Sequence, residues 1–223
     1  MAEQEVETKL KVTRKDFERL REEGTVHKKI EQRNVYYDQD EELSRASATF
    51  RIRFYSSGGP VMTLKLPQEG EGEARTCLEV ESKLEDKNFR PEEVDIGQDL
   101  PDEFSQPLRQ LGVQHLEKLG CMPNSRFLVR LTDDLEVEMD HARLPTGEEF
   151  YEVEFENDDM EEHHRAKDLI HSLVSSAHPS DLSKYERFVR ALKGLPVNGT
   201  HSNGAHDREK SLAHQNGTGV GSK

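Results

Sequence analysis

Pairs of charged residues separated by one position recur along this chain, and they are the part of the sequence that could do chemistry. The acidic pairs are Glu5-x-Glu7, Glu79-x-Glu81, Glu138-x-Asp140 and Glu152-x-Glu154. The basic residues with similar placement are Lys9, Arg51, Arg53, Lys65 and Arg126. Carboxylates are the ligands that hard divalent cations prefer, whereas Lys and Arg side chains bind anions. The two sets together predict a site for a metal ion and a phosphate.

The charged pairs lie in segments that alternate with period two, which indicates β-strands. In residues 3–12 one face carries Glu5 and the charged positions, and the other carries Val6 and the apolar positions. The predicted strands are residues 3–12, 32–38, 48–55, 61–66, 76–84, 125–131, 134–140 and 149–156. The charged face of a single strand could simply be solvated. If eight antiparallel strands close into a barrel, the charged faces could instead point inward.

An inward charged face would be costly unless ions fill the barrel. Most of the predicted strands are mainly acidic or mainly basic, whereas solvated faces should mix the two signs. Two unit charges 4 Å apart interact with about 4 kcal/mol at an effective dielectric near 20, so an unfilled carboxylate cluster would repel strongly. Divalent cations bound to the acids and a polyanion bound to the bases would neutralise the inward charges of both signs.

The remaining segments predict helices, connections and a tail around these strands. Residues 13–24 form a short capped helix, and residues 159–177 and 181–193 have apolar stripes at helical spacing. Residues 39–47 are predicted to form a polar loop. Residues 85–120 are predicted to be connecting structure that contributes no catalytic or binding residues. The fold class is therefore α+β, with one domain over residues 1–194. Residues 195–223 are almost free of apolar side chains and predict a disordered polar tail.

Composition limits the partners and the compartment. The 223 residues carry a net charge of −14, which disfavours nucleic acid and anionic membrane as partners. Cys77 and Cys121 share no metal-ligand spacing, and no apolar run approaches the roughly 18 residues of a membrane-spanning helix. The first strand begins at once, so we expect no leader peptide and a cytoplasmic protein. A closed barrel has no free sheet edge, so we expect a monomer.

The motif Glu5-Val-Glu7-Thr-Lys9 resembles the Glu-x-Glu-x-Lys signature of the triphosphate tunnel metalloenzymes, also called the CYTH superfamily. The other charged pairs and bases follow in the order of that family, ending with Lys184 on the last predicted helix. Residues 32–38 (Gln-Arg-Asn-Val-Tyr-Tyr-Asp) and 180–184 (Ser-Asp-Leu-Ser-Lys) are similar to the plant-type inorganic tripolyphosphatases. The resemblance covers residues 3–194.

The resemblance implies an eight-stranded antiparallel tunnel, open at both ends and surrounded by helices, that hydrolyses a triphosphate with Mg²⁺ or Mn²⁺. It implies that Glu5, Glu7 and Glu152 hold the metal that bridges the phosphates. It implies that Glu79 and Glu154 hold a second metal or its activated water, with Glu79 as proton acceptor. The acidic face would be completed by Glu81 and by Glu138 or Asp140. The bases implied to grip phosphate oxygens are Lys9, Arg51, Arg53, Lys65, Arg126 and Lys184, and those of them implied in catalysis are Lys9, Arg51, Arg53 and Lys184.

The function that this resemblance implies is hydrolysis of inorganic tripolyphosphate to pyrophosphate and phosphate, with that small molecule as the partner. The alternatives are a thiamine triphosphatase, a class IV-type adenylate cyclase, an RNA triphosphatase, which the net charge disfavours, or a non-catalytic polyphosphate-binding module. Tyr36 and Tyr37 are expected in the core. Five further charges could also line the tunnel, but the rim or the surface is the favoured place for them: Arg33, Lys83, Arg130, Glu136 and Glu156.

Overall fold

Eight antiparallel strands close into a barrel in the computed structural model, which describes residues 2–68, 75–86 and 89–197. The barrel strands are β1 (Ala2–Val12), β2 (Thr25–Asp38), β3 (Thr49–Tyr55), β4 (Val61–Pro67), β5 (Arg75–Lys83), β7 (His115–Thr132), β8 (Leu135–Arg143) and β9 (Glu149–Glu156). Two short strands, β6 (Glu93–Asp95) and β10 (His178–Pro179), pair with the outer edges of β7 and β1. The helices are α1 (Arg14–Glu23), α2 (Glu42–Arg45), α3 (Asp102–Gln110), α4 (Met160–Leu173) and α5 (Lys184–Leu192).

The strand order around the barrel is β1-β5-β4-β3-β2-β7-β8-β9, and β1 closes the ring by pairing with both of its neighbours. The first half of β1 pairs with β5, where Glu5 lies opposite Cys77. Its second half pairs with β9, where Lys9 lies opposite Glu154. The predicted eight-stranded antiparallel barrel is therefore confirmed.

Two of the three apolar clusters among the described residues lie outside the barrel wall, between the strands and the helices. Phe50 and Ile52 of β3 pack outward with Phe104 of α3. Leu10 of β1 packs outward in a second cluster that includes Ile170 of α4. Because side chains alternate along a strand, this outward packing turns the charged positions toward the barrel interior.

Two of the strands are longer than the sequence pattern predicts. β2 begins at Thr25 rather than at residue 32, and β7 begins inside the segment expected to be connecting structure. These two strands pair with each other between Thr25–Asp38 and Glu117–Arg130. Most side chains in the first half of β2 are exposed and polar, so they do not alternate and carry no strand signal.

Three predicted connections also contain structure or fall outside the described residues. The predicted loop 39–47 contains α2, and the predicted connection 85–120 contains β6 and α3. In the predicted tail, residues 195–197 are described and Val197 is buried. The prediction of disorder for 198–223 lies outside the described residues, as do residues 69–74 between β4 and β5. Within the described part of the chain, no helix has the length and apolar character needed to cross a membrane.

Candidate active site

The barrel encloses a cavity of about 230 Å³ that gathers most of the charged residues singled out in the sequence. It is lined by all six predicted bases, which are Lys9, Arg51, Arg53, Lys65, Arg126 and Lys184. It is also lined by Glu5, Glu7, Glu79, Glu81, Glu138, Glu154 and Glu156. The alternation along the strands therefore identified an interior face rather than a solvated one.

One end of the barrel opens into a wider acidic cavity of about 650 Å³, here called the mouth. Glu5, Glu79, Glu81 and Glu156 line both the mouth and the inner cavity. Asp158, just beyond β9, adds a further carboxylate to the mouth. Any ligand that enters from this end passes the acids of β5, β1 and the end of β9.

The opposite end, here called the inner end, is crossed by residues 180–187. The Ser180 amide donates to the Lys9 carbonyl of β1 at 2.9 Å, and the Tyr185 hydroxyl donates to Asp38 of β2 at 2.6 Å. Since β1 and β2 are four strands apart in a ring of eight, a segment that touches both spans the barrel. The family resemblance implied a tunnel open at both ends, whereas these contacts put the start of α5 across one of them.

Lys184 reaches the cavity because α5 begins at this position. Ser183 and Glu186 form a reciprocal capping box that fixes the first turn of the helix. The Lys184 ammonium pairs with Asp140 at 2.9 Å, with Glu152 at 3.1 Å and with Glu154. Burial favours the neutral amine, but these carboxylates outweigh it and raise the pKa of Lys184 well above its ordinary value.

Asp140 and Glu152 do not line the cavity, although both were predicted as possible metal ligands. Both are fully buried in the wall at the inner end. Asp140 accepts hydrogen bonds from Asn124 and Arg126, each at 2.9 Å. Glu152 accepts one from Ser180 at 2.7 Å and faces Arg187 at 3.5 Å. Protein cations contact these two carboxylates, which lie outside the cavity. The other predicted acids line the cavity.

Arg51 and Arg53 form a cationic wall on β3. The Arg53 Nε donates to the Asn34 amide oxygen at 2.9 Å, and among the described residues Arg53 pairs with no carboxylate. Arg51 lies 3.7 Å from Glu79, and its buried Nε has no hydrogen-bond partner in the described structure. Burial, then Arg51 and Arg126, lower the pKa of Arg53. Buried guanidinium groups with so few carboxylate partners are suited to bind an anion.

The carboxylates of the mouth crowd one another. Lys65 contacts Glu5 at 2.5 Å and Glu79 at 3.4 Å. Burial and a hydrogen bond with Glu5 raise the pKa of Glu79 to about 7. For Glu5, burial opposes ionisation, but that same hydrogen bond and Lys65 hold its pKa below the usual range. At neutral pH Glu79 is therefore part protonated and part ionised, beside an ionised Glu5.

The acidic cluster could hold a divalent metal ion. Glu5, Glu7 and Glu156 bring carboxylate oxygens within 4.8 Å of one another, and so do Glu138, Glu154 and Glu156. Oxygen donors at this density fit Mg²⁺ or Mn²⁺, which take carboxylates and keep several waters. Burial, with Glu138 and Glu5 next, raises the pKa of Glu156 above its ordinary value, and a bound cation would relieve that repulsion.

Glu156 is an acid that sequence reasoning did not assign to the site. It was expected at the rim or surface, and it is exposed, but it lies at the mouth and belongs to both carboxylate groups. The signal was present as the continued alternation Glu152-x-Glu154-x-Glu156. Its position opposite Glu7 of β1 follows only from strand pairing. The other four charges expected at the rim or surface, Arg33, Lys83, Arg130 and Glu136, are exposed.

Tyr36 was expected in the core, and it is buried in an apolar cluster with Phe188, which confirms that expectation. It also lines the cavity beside the bases, which the sequence did not indicate. Tyr37 points to the outer apolar cluster, as expected. Alternation could have separated the two, because consecutive strand residues face opposite sides.

A model of the CYTH domain family matches residues 3–189. The match covers most of the chain, so the chain belongs to the CYTH domain family. Proteins with this domain are often triphosphatases or cyclases, and the enzymes among them use divalent metal ions. A search of curated proteins found no match.

Solved structures of similar proteins support the same fold. The Hippeastrum protein HpAC1, provisionally called an adenylyl cyclase and described as having a dominant triphosphatase activity, is 23% identical. Its TM-score is 0.68, and the match covers 86% of this chain and 98% of that one. A Bacillus halodurans protein provisionally called an adenylate cyclase is 25% identical, with a TM-score of 0.66 and coverage of 84% and 98%. A Pyrococcus horikoshii protein, PH1819, is 20% identical, with a TM-score of 0.55 and coverage of 84% and 99%.

Proposed function

We propose that this protein hydrolyses inorganic tripolyphosphate to pyrophosphate and phosphate with the help of a divalent metal ion. The observation that carries the proposal is the pairing of two features in one cavity. Arg51 and Arg53 form a buried cationic wall with few carboxylate partners. Across the same cavity, Glu156 joins two groups of carboxylates that could hold a cation. In a complex of a polyphosphate with a metal ion, the phosphate would bind the basic side of the cavity and the metal ion would bind the acidic side.

The size of the cavity favours an inorganic substrate. Its volume of about 230 Å³ is below the roughly 300–1,000 Å³ of pockets that take drug-sized ligands. The inner end is crossed by residues 180–187, so an organic group would have to remain in the acidic mouth. A chain of three phosphates needs no such room.

The basic residues would bind the substrate and stabilise charge on the leaving pyrophosphate. Arg51, Arg53 and Arg126 offer planar forks that match phosphate oxygens, and Lys9, Lys65 and Lys184 offer point charges. Charges fixed before the reaction need no reorganisation when the phosphate–oxygen bond breaks. We assign Glu79 as the group that takes a proton from the attacking water, since it lies between Lys65 and Arg51 at the junction of cavity and mouth.

The metal-holding carboxylates in this proposal are Glu5, Glu7, Glu138, Glu154 and Glu156. A bound Mg²⁺ or Mn²⁺ would supply neutralisation of phosphate charge and a more acidic water. Glu152, which the family resemblance implied as a ligand, is assigned instead to the wall that holds Lys184 and Arg187. Glu81 remains a carboxylate of the mouth, where its oxygen accepts a hydrogen bond from Thr63 at 2.8 Å.

A second candidate is cyclisation of a nucleoside triphosphate. The observation that favours it is the name of the 25% identical Bacillus halodurans protein. The same phosphate-binding residues would serve, but the nucleoside would have to lie in the acidic mouth.

The experiment is phosphate release by the purified chain from tripolyphosphate, ATP, thiamine triphosphate and pyrophosphate, with Mg²⁺, Mn²⁺ or EDTA. We expect fast release from tripolyphosphate that EDTA abolishes. Formation of cyclic AMP from ATP faster than hydrolysis of tripolyphosphate would replace the proposal by the second candidate. Dominant release from thiamine triphosphate would keep the site and change the substrate.

Matched variants separate catalysis from simple binding. Glu154→Gln should abolish turnover while tripolyphosphate still binds, because the six bases remain. Arg53→Ala should weaken binding by about tenfold or more, as expected for loss of a charge-assisted contact. Arg33→Ala, which removes an exposed guanidinium from the outer face of β2, is the control and should bind as wild type. Tight binding without turnover in the wild-type chain would indicate a polyphosphate-binding module.

A further inference from the structure

We infer that Tyr36 is a substrate-binding residue whose hydroxyl donates a hydrogen bond to a phosphate oxygen of the bound triphosphate, between Arg51 and Lys184. The inference rests on the proposed function, since it assigns one more contact to the same site. Tyrosine is a residue type that neither the Glu-x-Glu-x-Lys motif nor the pattern of charged residues indicates.

The first step is the unused hydrogen-bonding capacity of this side chain. Tyr36 is 1% exposed, and its hydroxyl has no hydrogen-bond partner among the described residues. A buried hydroxyl without a partner is unfavourable and rare in native proteins. Two neighbouring tyrosines use theirs, because Tyr37 donates to the Pro91 carbonyl at 3.0 Å and Tyr185 donates to Asp38 at 2.6 Å. The Tyr36 hydroxyl is therefore the one of these three that is available to a ligand.

The second step is where that hydroxyl lies. Tyr36 is directly opposite Arg51 in the pairing of β2 with β3, and it lines the cavity together with the bases. The charges that act on its hydroxyl are those of Arg51, Lys184, Arg53 and Lys9. These are residues that the proposed function assigns to phosphate oxygens, so an anion held by them would come within reach of the hydroxyl.

The third step is that the ring is held in place before any ligand arrives. Its centroid lies 5.3 Å from that of Tyr185 and 4.9 Å from that of Phe188. Gly120, opposite Tyr36 on β7, has φ +148°, and a Cβ there would lie 3.1 Å from the Phe188 ring. A side chain at this position would force the Phe188 ring to shift by a few tenths of an ångström. A fixed donor loses little entropy when it binds a ligand.

The hydroxyl is also in the right protonation state. Burial raises the pKa of Tyr36 above its ordinary value, although the surrounding cations act in the opposite direction. At neutral pH the group therefore keeps its proton and can donate to an anionic oxygen, which a tyrosinate could not do.

The test compares Tyr36→Phe with Tyr37→Phe in the full chain. Binding of tripolyphosphate is measured by calorimetry in EDTA and in Mg²⁺, and thermal unfolding is followed without ligand. Tyr36→Phe should weaken binding by about tenfold or more, as for a lost hydrogen bond to a charged group. Its melting temperature without ligand should equal or exceed that of wild type, because an unpartnered buried hydroxyl has been removed. Tyr37→Phe should melt earlier, having lost its bond to Pro91, and should bind as wild type.

The outcomes distinguish this inference from the proposed function. If wild type binds tripolyphosphate and Tyr36→Phe binds it equally well, the tyrosine is not a ligand contact and the inference is wrong. Binding loss in Tyr36→Phe together with a lower melting temperature like that of Tyr37→Phe would assign Tyr36 a packing role instead. If the wild-type chain neither binds nor hydrolyses tripolyphosphate, the proposed function fails and this inference fails with it.

Discussion

The inner end and the mouth of the barrel both contain carboxylates, but these differ in burial and in the charge of their neighbours. At the inner end, Asp140 and Glu152 are fully buried and contacted by protein cations. At the mouth, Glu79 and Glu156 are only partly enclosed and lie beside other carboxylates. Their pKa values differ accordingly: Arg126 and Lys184 hold the pKa of Asp140 below its usual range despite burial, whereas that of Glu79 rises to about 7.

The difference shows which carboxylates are free to bind a cation. Asp140 and Glu152 do not line the cavity, so a metal ion bound there would not reach them, and removing either one would leave a buried protein cation unpaired. Acids that repel one another gain from any cation that enters. Along β9, Glu152 therefore belongs to the wall and Glu156 to the site, although both follow the same alternation.

The largest expected effect is at the inner end. Glu152→Ala leaves Arg187, which is 1% exposed, without its carboxylate. We expect the free energy of unfolding in urea to fall by about 3–5 kcal/mol. Arg14→Ala, which removes an exposed ion pair with Glu18, is the control and should leave stability nearly unchanged. If the Glu152→Ala protein is as stable as wild type but no longer responds to Mg²⁺, Glu152 is a metal ligand and not part of the wall.

A smaller effect is expected at the mouth. Glu156→Gln removes a carboxylate from both acidic groups and relieves repulsion, so the protein without metal should be at least as stable as wild type. Affinity for Mg²⁺, measured by calorimetry, and turnover should both fall by about 10- to 100-fold, the range seen when support of a metal site is lost. Glu136→Gln, at an exposed carboxylate on β8, is the control and should leave both unchanged. If Glu156→Gln and Glu152→Ala lose the same amount of stability, the proposed difference between the acids of the mouth and those of the inner end is wrong.

The smallest effect is the pH dependence of stability in EDTA. Glu79 has a raised pKa of about 7, so between pH 5 and pH 7 it is protonated in the folded chain and ionised in the unfolded chain. The unfolded state then binds fewer protons, and stability falls as pH rises, by about 1 kcal/mol after screening by solvent. Asp140, with its lowered pKa, contributes stability that is present above about pH 4 and is lost as pH falls. Melting curves across pH that stay flat between pH 5 and pH 7, in wild type and in Glu79→Gln alike, would contradict the raised pKa.

Much of the site could be predicted from local spacing. Alternation put Glu5, Glu7 and Lys9 on one face, and the order of the later pairs along the chain carried the family resemblance that implied a closed barrel. The pattern worked because each strand has an apolar outer face that must contact helices, which turns the charged face inward. Where a strand is exposed on both faces, as in residues 25–31, there is no alternation and the strand was missed.

The sequence by itself determined the fold class and the set of charges, because period-two alternation and charge type are local properties of the chain. The tertiary structure decided how those charges divide between wall and site. Whether Glu152, Glu156 or Tyr36 is available to a ligand depends on which groups from distant segments lie against it, such as Arg187, Glu7 and Arg51. Those neighbours are set by strand register and by the path of residues 180–187 across the barrel, and neither is encoded in the spacing of any one strand.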